Sequence, residues 1–135
     1  ELVLVGSLEH LPAAQRSLPG IRALSGVSDA ELHALYRQAS RLWQPSYAEG
    51  FGLPVIEALS VGTPVAVASG TSLDEITPPS APRFSPTDGP TLVQLMLSLG
   101  AQPDEESAEQ RRLWAQRFNH LAYRRRLAEL IEELK

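Results

Sequence analysis

Short apolar runs alternate with helical patterns along this chain, and that alternation limits its fold more than any other feature. Leu2-Val3-Leu4-Val5 stops at Gly6, Ile21 to Leu24 stops at Ser25-Gly26, Arg41 to Gln44 stops at Pro45-Ser46, and Pro64 to Ala68 follows a further helical stretch. Runs that are apolar throughout suit strands covered on both faces, as in a parallel sheet. Arg83-Phe84-Ser85 reads as an edge strand. Pro12, Pro19 and Gly20 bracket a plain connection. Ser28-Asp29-Ala30-Glu31 has the form of a capping box, with Leu32, Leu35, Tyr36 and Ala39 on the buried stripe of the helix it opens. Pro54 suits the first position of a helix carrying Val55, Ile56, Ala58 and Leu59, and Gly62 suits its end. A helical turn is expected near Leu73-Asp74-Glu75, and a helix from Thr91 to Leu99 capped by Gly100. Strand and helix alternating through short links predict an α/β, Rossmann-like, doubly wound parallel sheet with right-handed crossovers. After Pro103 the chain becomes charged and helical. Trp114 and Phe118 lie a turn apart, and Asn119 suits the cap of a last helix with a stripe of Leu121, Arg124, Leu127, Leu130, Ile131 and Leu134.

A length of 135 residues corresponds to one domain, 1–135, long enough to hold its own core. The formal net charge of −4 argues against nucleic acid or an anionic membrane surface as the main partner. It leaves room for a small anion, because a helix N-terminus binds phosphate without side-chain charge. The chain has no cysteine, which excludes disulfides and thiolate metal sites. No apolar run approaches the roughly 18 residues that span a bilayer, and the expected compartment is the cytoplasm. The chain opens on Glu1 and runs directly into an apolar strand, so it is expected to be part of a longer protein.

Chemistry concentrates in Pro45 to Ala68, PSYAEGFGLPVIEALSVGTPVAVA. A strand ends, a loop of Glu49-Gly50-Phe51-Gly52 follows, and a helix begins at Leu53-Pro54. In an open α/β sheet this loop lies at the carboxyl edge of the strands, where ligands bind. Gly50 and Gly52 allow positive φ and close approach of the backbone. The N–H groups around Phe51, Gly52 and Leu53 point out of the helix start, where the dipole favours an anion. Glu49 precedes the glycines and Glu57 is expected in the first turn of the helix, so that both carboxylates flank one helix start. Each is able to accept hydrogen bonds from vicinal hydroxyls. Sugar, diphosphate, sugar is the ligand pattern that fits: a nucleotide sugar. Each part has a plainer reading, since a Glu early in a helix complements the dipole and glycines before a helix serve the turn. The combination favours the ligand.

The same stretch resembles the signature of family 4 (group 1) glycosyltransferases, retaining enzymes of the GT-B fold. EGFGLP, EA and GTPV stand in register, and the Glu-x7-Glu pair falls on Glu49 and Glu57. LVLVG, IRALSGVSDAELHALYRQA, Ser72-Leu73-Asp74-Glu75 and the Arg83–Asp88 turn also resemble family blocks. The resemblance implies the nucleotide-sugar-binding, C-terminal half of such an enzyme, inactive without an N-terminal acceptor-binding domain. It implies Glu49 as the catalytic residue contacting the donor sugar. Gly50, Phe51, Gly52 and Leu53 would meet sugar and diphosphate. Glu57 would hold the ribose, with Ser25, Gly26 and Val27 bordering the base. No metal or other cofactor is expected. The family's phosphate-binding Arg and Lys come from a segment before Leu2, and Ser7-Leu8 stands where the family often has a second Gly after Gly6.

His10, His33 and His120 lack metal-ligand spacing. Asp104-Glu105-Glu106 reads as a helix start, and the arginines from Arg111 to Arg126 as a solvated face interleaved with acids. Membrane association of that tail is not indicated. The competing functions are a stand-alone nucleotide-binding module, a GT-B-related sugar-nucleotide epimerase or phosphorylase, and a purely structural α/β interaction domain.

Overall fold

The computed structural model describes residues 1–7, 9, 11–99 and 105–133. The chain divides into two compact units, residues 1–34 and residues 35–135.

In the first unit β1 (Leu2–Val5) and β2 (Ile21–Leu24) run parallel, with Leu2 opposite Ile21 and Val5 opposite Leu24. Hydrogen bonds Leu2 N–Gly20 O (2.7 Å) and Gly6 N–Leu24 O (3.1 Å) extend the ladder at both ends. The connection between them holds a short helix, α1 (Ala13–Arg16), begun directly after Pro12. A single turn is too short for apolar periodicity to reveal, which is why the sequence reads as a plain link. Helix α2 (Asp29–Gln38) starts on the expected capping box. The Ser28 N–H donates to Glu31 Oε2 (2.8 Å), and the Glu31 N–H donates to Ser28 Oγ (3.4 Å).

The unit boundary falls within α2. On that helix Tyr36 is buried, Leu32 and Leu35 are half-buried, and Ala39, beyond the helix end, is exposed rather than part of the stripe. In the second unit β3 (Leu42–Gln44), β4 (Val65–Ala68) and β5 (Arg83–Phe84) form a parallel sheet in the order β3-β4-β5. The central strand β4 is buried along its whole length, which accounts for its uninterrupted apolar sequence. Helix α3 (Leu53–Ser60) joins β3 to β4 and buries Val55, Ala58 and Leu59 completely. Helix α4 (Leu73–Ile76) joins β4 to β5. Helix α5 (Gly89–Leu99) sets Leu92 and Leu95 against Ala66, Ala68 and Phe84, beside Trp43. Asp88 caps it, taking Thr91 N–H (3.0 Å) and hydroxyl (2.6 Å).

Helix α6 (Ala108–Gln116) is opened by a capping box of Ser107 and Gln110. The helix therefore begins after Asp104-Glu105-Glu106; Asp104 itself, like Gly100, Pro103, His10 and Leu134, lies outside the described residues. Arg111, on α6, donates from Nε to Gly62 O (2.7 Å) and from Nη1 to Glu106 O (2.5 Å). It thereby fastens α6 to the C-terminal end of α3, where carbonyls are left without partners. Trp114 Nε1 donates to Ile76 O (2.8 Å), tying α6 to α4. Asn119 caps α7 (His120–Glu133), its side chain accepting from Ala122 N at 2.8 Å. Leu121, Leu127, Leu130 and Ile131 on α7 are exposed. No helix among the described residues is long and apolar enough to cross a membrane.

Candidate functional site

The loop from Ser46 to Gly52 is suspended between the end of β3 and the start of α3, and its geometry starts from Glu49. This half-buried carboxylate receives two donors on the same oxygen: Gln44 Nε2 reaches Oε1 at 2.7 Å and Ser46 Oγ at 2.6 Å. Gln44 Nε2 also donates to Ser46 Oγ (2.8 Å). The Glu49 main chain is held as well, its carbonyl accepting from Ser72 Oγ at 2.9 Å.

The two glycines of the loop differ. Gly52 is buried with φ 87°, and an added Cβ would lie 2.5 Å from Leu73 Cδ2 and 2.7 Å from Ile76 Cδ1. Only glycine meets both demands. Gly50 corrects the expectation for the pair: it is exposed, has no positive φ, and a Cβ there would meet nothing within 4 Å.

Gly52 is the N-cap of α3 and, having no side chain, leaves the helix start uncapped. Its carbonyl accepts from Val55 N (3.0 Å) and Ile56 N (3.4 Å), while the N–H groups of Phe51, Gly52 and Leu53 meet no acceptor among the described residues. Exposed Phe51 and Leu53 flank this point. The Phe51 ring meets Phe118 edge-on at 6.2 Å, Phe118 lies 6.5 Å from Trp114, and Arg117 stacks 4.2 Å over the Trp114 ring. One edge of the exposed Phe51 ring is thus engaged by the α6–α7 junction.

Glu57 lies in the second turn of α3, not the first, because the helix begins at Leu53. Its Oε2 accepts from the Tyr36 hydroxyl at 3.3 Å. Burial, and then the Glu57 charge and hydrogen bond, push the Tyr36 hydroxyl far above its ordinary pKa. Ser25, Gly26 and Val27 follow β2 in the first unit; Ser25 and Gly26 are exposed, and Gly26 has φ 65°.

Gln44, Ser46 and Tyr36 act on the two carboxylates and Ser72 on the Glu49 carbonyl, and none of the four was singled out as a site residue by sequence. The available signal was a glutamine ending an otherwise apolar strand. Among the described residues no group of His, Asp and Glu is arranged to hold a metal ion. A cleft lined by Leu59, Pro78, Pro82, Leu99 and Arg111 contains none of the candidate residues. Its charged Arg111 is already committed to backbone carbonyls, so it is assigned no role.

The chain is similar in sequence and fold to known proteins. Residues 1–81 match the family described as Glycosyl transferases group 1. Over 56 residues the chain is 48% identical to the O-antigen chain mannosyltransferase B of Escherichia coli, covering 42% of this chain and 15% of that protein. It is 35% identical over 88 residues to the MMP alpha-(1->4)-mannosyltransferase of Mycolicibacterium hassiacum, covering 63% of this chain and 21% of that one. Among solved structures, sucrose-phosphate synthase from Thermosynechococcus elongatus superposes with a TM-score of 0.69 at 28% identity, over 84% of this chain and 30% of that one. The fold is accordingly the Rossmann-like α/β fold of the GT-B glycosyltransferases. The chain spans only 15% and 21% of the length of these two curated relatives.

Proposed function

The chain belongs to the group 1 glycosyl transferases, and from that premise we propose that it is the donor-binding domain, residues 1–135, of a retaining glycosyltransferase. The donor is a nucleoside-diphosphate hexose, and the acceptor is a sugar, a lipid or another hydroxyl compound held by an N-terminal domain. The observation that carries this reading is the start of α3: a glycine N-cap, unengaged amides at Phe51, Gly52 and Leu53, and a fixed carboxylate at Glu49 directly before them.

The chemistry follows from charge. When the bond from the anomeric carbon to the diphosphate breaks, negative charge grows on the leaving oxygen. Amides and dipole at the start of α3 stabilise that charge without a metal, and they require no reorganisation as it forms. Glu49 accepts hydrogen bonds from hexose hydroxyls and orients the reacting carbon. Glu57 accepts from the ribose hydroxyls. The reaction takes place in the cytoplasm, and the acceptor-binding domain supplies the remaining groups. Three relatives are named as mannosyltransferases, which makes mannose the first sugar to try.

The test is a titration of the chain with GDP-mannose, UDP-glucose and ADP-glucose, followed by NMR. One of them is expected to shift resonances from Gly50 to Glu57, and Glu57→Ala to weaken that binding by about tenfold, as for a lost hydrogen bond to a charged group. Absence of shifts in that stretch, in this chain and in a longer one alike, rejects the donor site.

A further inference from the structure

The two hydrogen bonds at Glu49 converge on one oxygen, and that asymmetry has a functional meaning. Oε1 takes Gln44 Nε2 and Ser46 Oγ, at 2.7 and 2.6 Å. Oε2 has no partner among the described residues. A carboxylate oxygen offers about two lone pairs, so Oε1 is saturated and Oε2 is not.

We infer that Gln44 and Ser46 are positioning residues that turn the Glu49 carboxylate so that Oε2 alone meets the donor sugar. The inference rests on the proposal that Glu49 contacts that sugar. Gln44 is the last residue of β3 and lies opposite Val67 of buried β4, so its amide is carried by a strand paired to the buried centre of the sheet. Its Nε2 gives one proton to Glu49 and the other to Ser46 Oγ. The Ser46 hydroxyl has a single proton, and with Gln44 donating to its oxygen that proton goes to Glu49. The chain of donors therefore has one direction, and it ends on the carboxylate. Ser72 fixes the Glu49 carbonyl from the start of α4, so both ends of the residue are set before any ligand arrives. A glutamate on a free loop would lose its rotamer freedom on meeting each sugar, whereas this one is already ordered. Donor hydroxyls must then approach from the Oε2 side, which selects among hexoses by where their hydroxyls stand.

Calorimetric titrations of the chain with GDP-mannose and with GDP, and with UDP-glucose and UDP, separate positioning from stability. The unaltered chain is expected to bind one sugar nucleotide more tightly than its bare diphosphate. Gln44→Leu and Ser46→Ala are each expected to reduce that preference by about tenfold, the scale of one charge-assisted hydrogen bond, without changing affinity for the bare diphosphate. Ser46→Thr, which keeps the hydroxyl, is expected to retain the preference. Equal weakening of both ligands in the variants, or an unchanged preference, overturns the inference while leaving the donor site standing. No preference in the unaltered chain removes Glu49 from the sugar and overturns the inference together with that reading. A second measurement needs no ligand: the Gln44 side-chain amide resonances should move in Ser46→Ala and in Glu49→Ala. If they stay in place in both, the network does not exist in solution.

Discussion

Gly52 combines two requirements that no other residue meets. Its φ of 87° belongs to the left-handed region, and the space where a Cβ would sit is occupied by Leu73 and Ile76. Gly52→Ala should cost roughly 2–4 kcal/mol, the sum of backbone strain and a core clash. Gly50→Ala should stay within about 0.5 kcal/mol, because the site is open and unstrained. Urea midpoints of both variants check the contrast, and equal losses would refute the different roles of the two glycines. Tyr36 gives a second prediction at this scale. It is 6% exposed and its hydroxyl faces Glu57. The unfolded tyrosine ionises near 10.0, whereas the folded one holds its proton to higher pH. The folded state therefore binds the proton more tightly, and the associated stability is present below pH 10.0 and lost as pH rises above it. Urea unfolding should show a decline on the order of 1 kcal/mol per pH unit in that range, and Tyr36→Phe should flatten it.

At the scale of elements, α3 is held at its two ends in opposite ways. Its start is left open, with a glycine for a cap, while its end is closed by Arg111 on Gly62 O and by Arg112 Nη2 on Val61 O at 3.4 Å. A positive charge at a helix C-terminus complements the dipole, and the glycine N-cap leaves the opposite end free for an anion. Arg111 is 8% exposed, so its bonds are well shielded from water. Arg111→Met should lower stability by about 2–4 kcal/mol by chemical denaturation, since carbonyls of Gly62 and Glu106 lose a charged donor. Arg111→Lys should recover only part of this, because a point charge does not reproduce the guanidinium fork. The capping boxes show how far local chemistry reads from sequence. Ser28–Glu31 was legible because a helical pattern follows it at once. Ser107–Gln110 was obscured by the run of acids before it, which also suits a helix start.

The whole molecule consists of a second unit with a buried central strand and a first unit in which no described residue is buried. Strand β4 is covered on both faces, whereas β1 and β2 form a two-stranded sheet, an arrangement of marginal stability alone. Amide hydrogen exchange should therefore be slowest in Val65–Ala68 and faster, by roughly a hundredfold or more, in Leu2–Val5. Similar protection of the two strands would contradict this ranking. Much of the fold was legible beforehand because strands, helices and turns are set by neighbours in the chain: continuous apolar runs for buried parallel strands, Pro54 and Gly62 for the limits of α3, and Asn119 for the cap of α7. The signature from Pro45 to Ala68 likewise carried the family. Tertiary structure alone decided which glycine is constrained, because the space beside Gly52 is set by α4, distant in sequence. It decided that Phe51 packs against Phe118, that Tyr36 faces Glu57, and that Arg111 closes α3. It also decided which oxygen of Glu49 is left to a ligand. Local periodicity specifies how each segment bends and which face it buries, whereas a hydrogen bond between remote segments depends on how those faces are brought together, which no short stretch of sequence encodes.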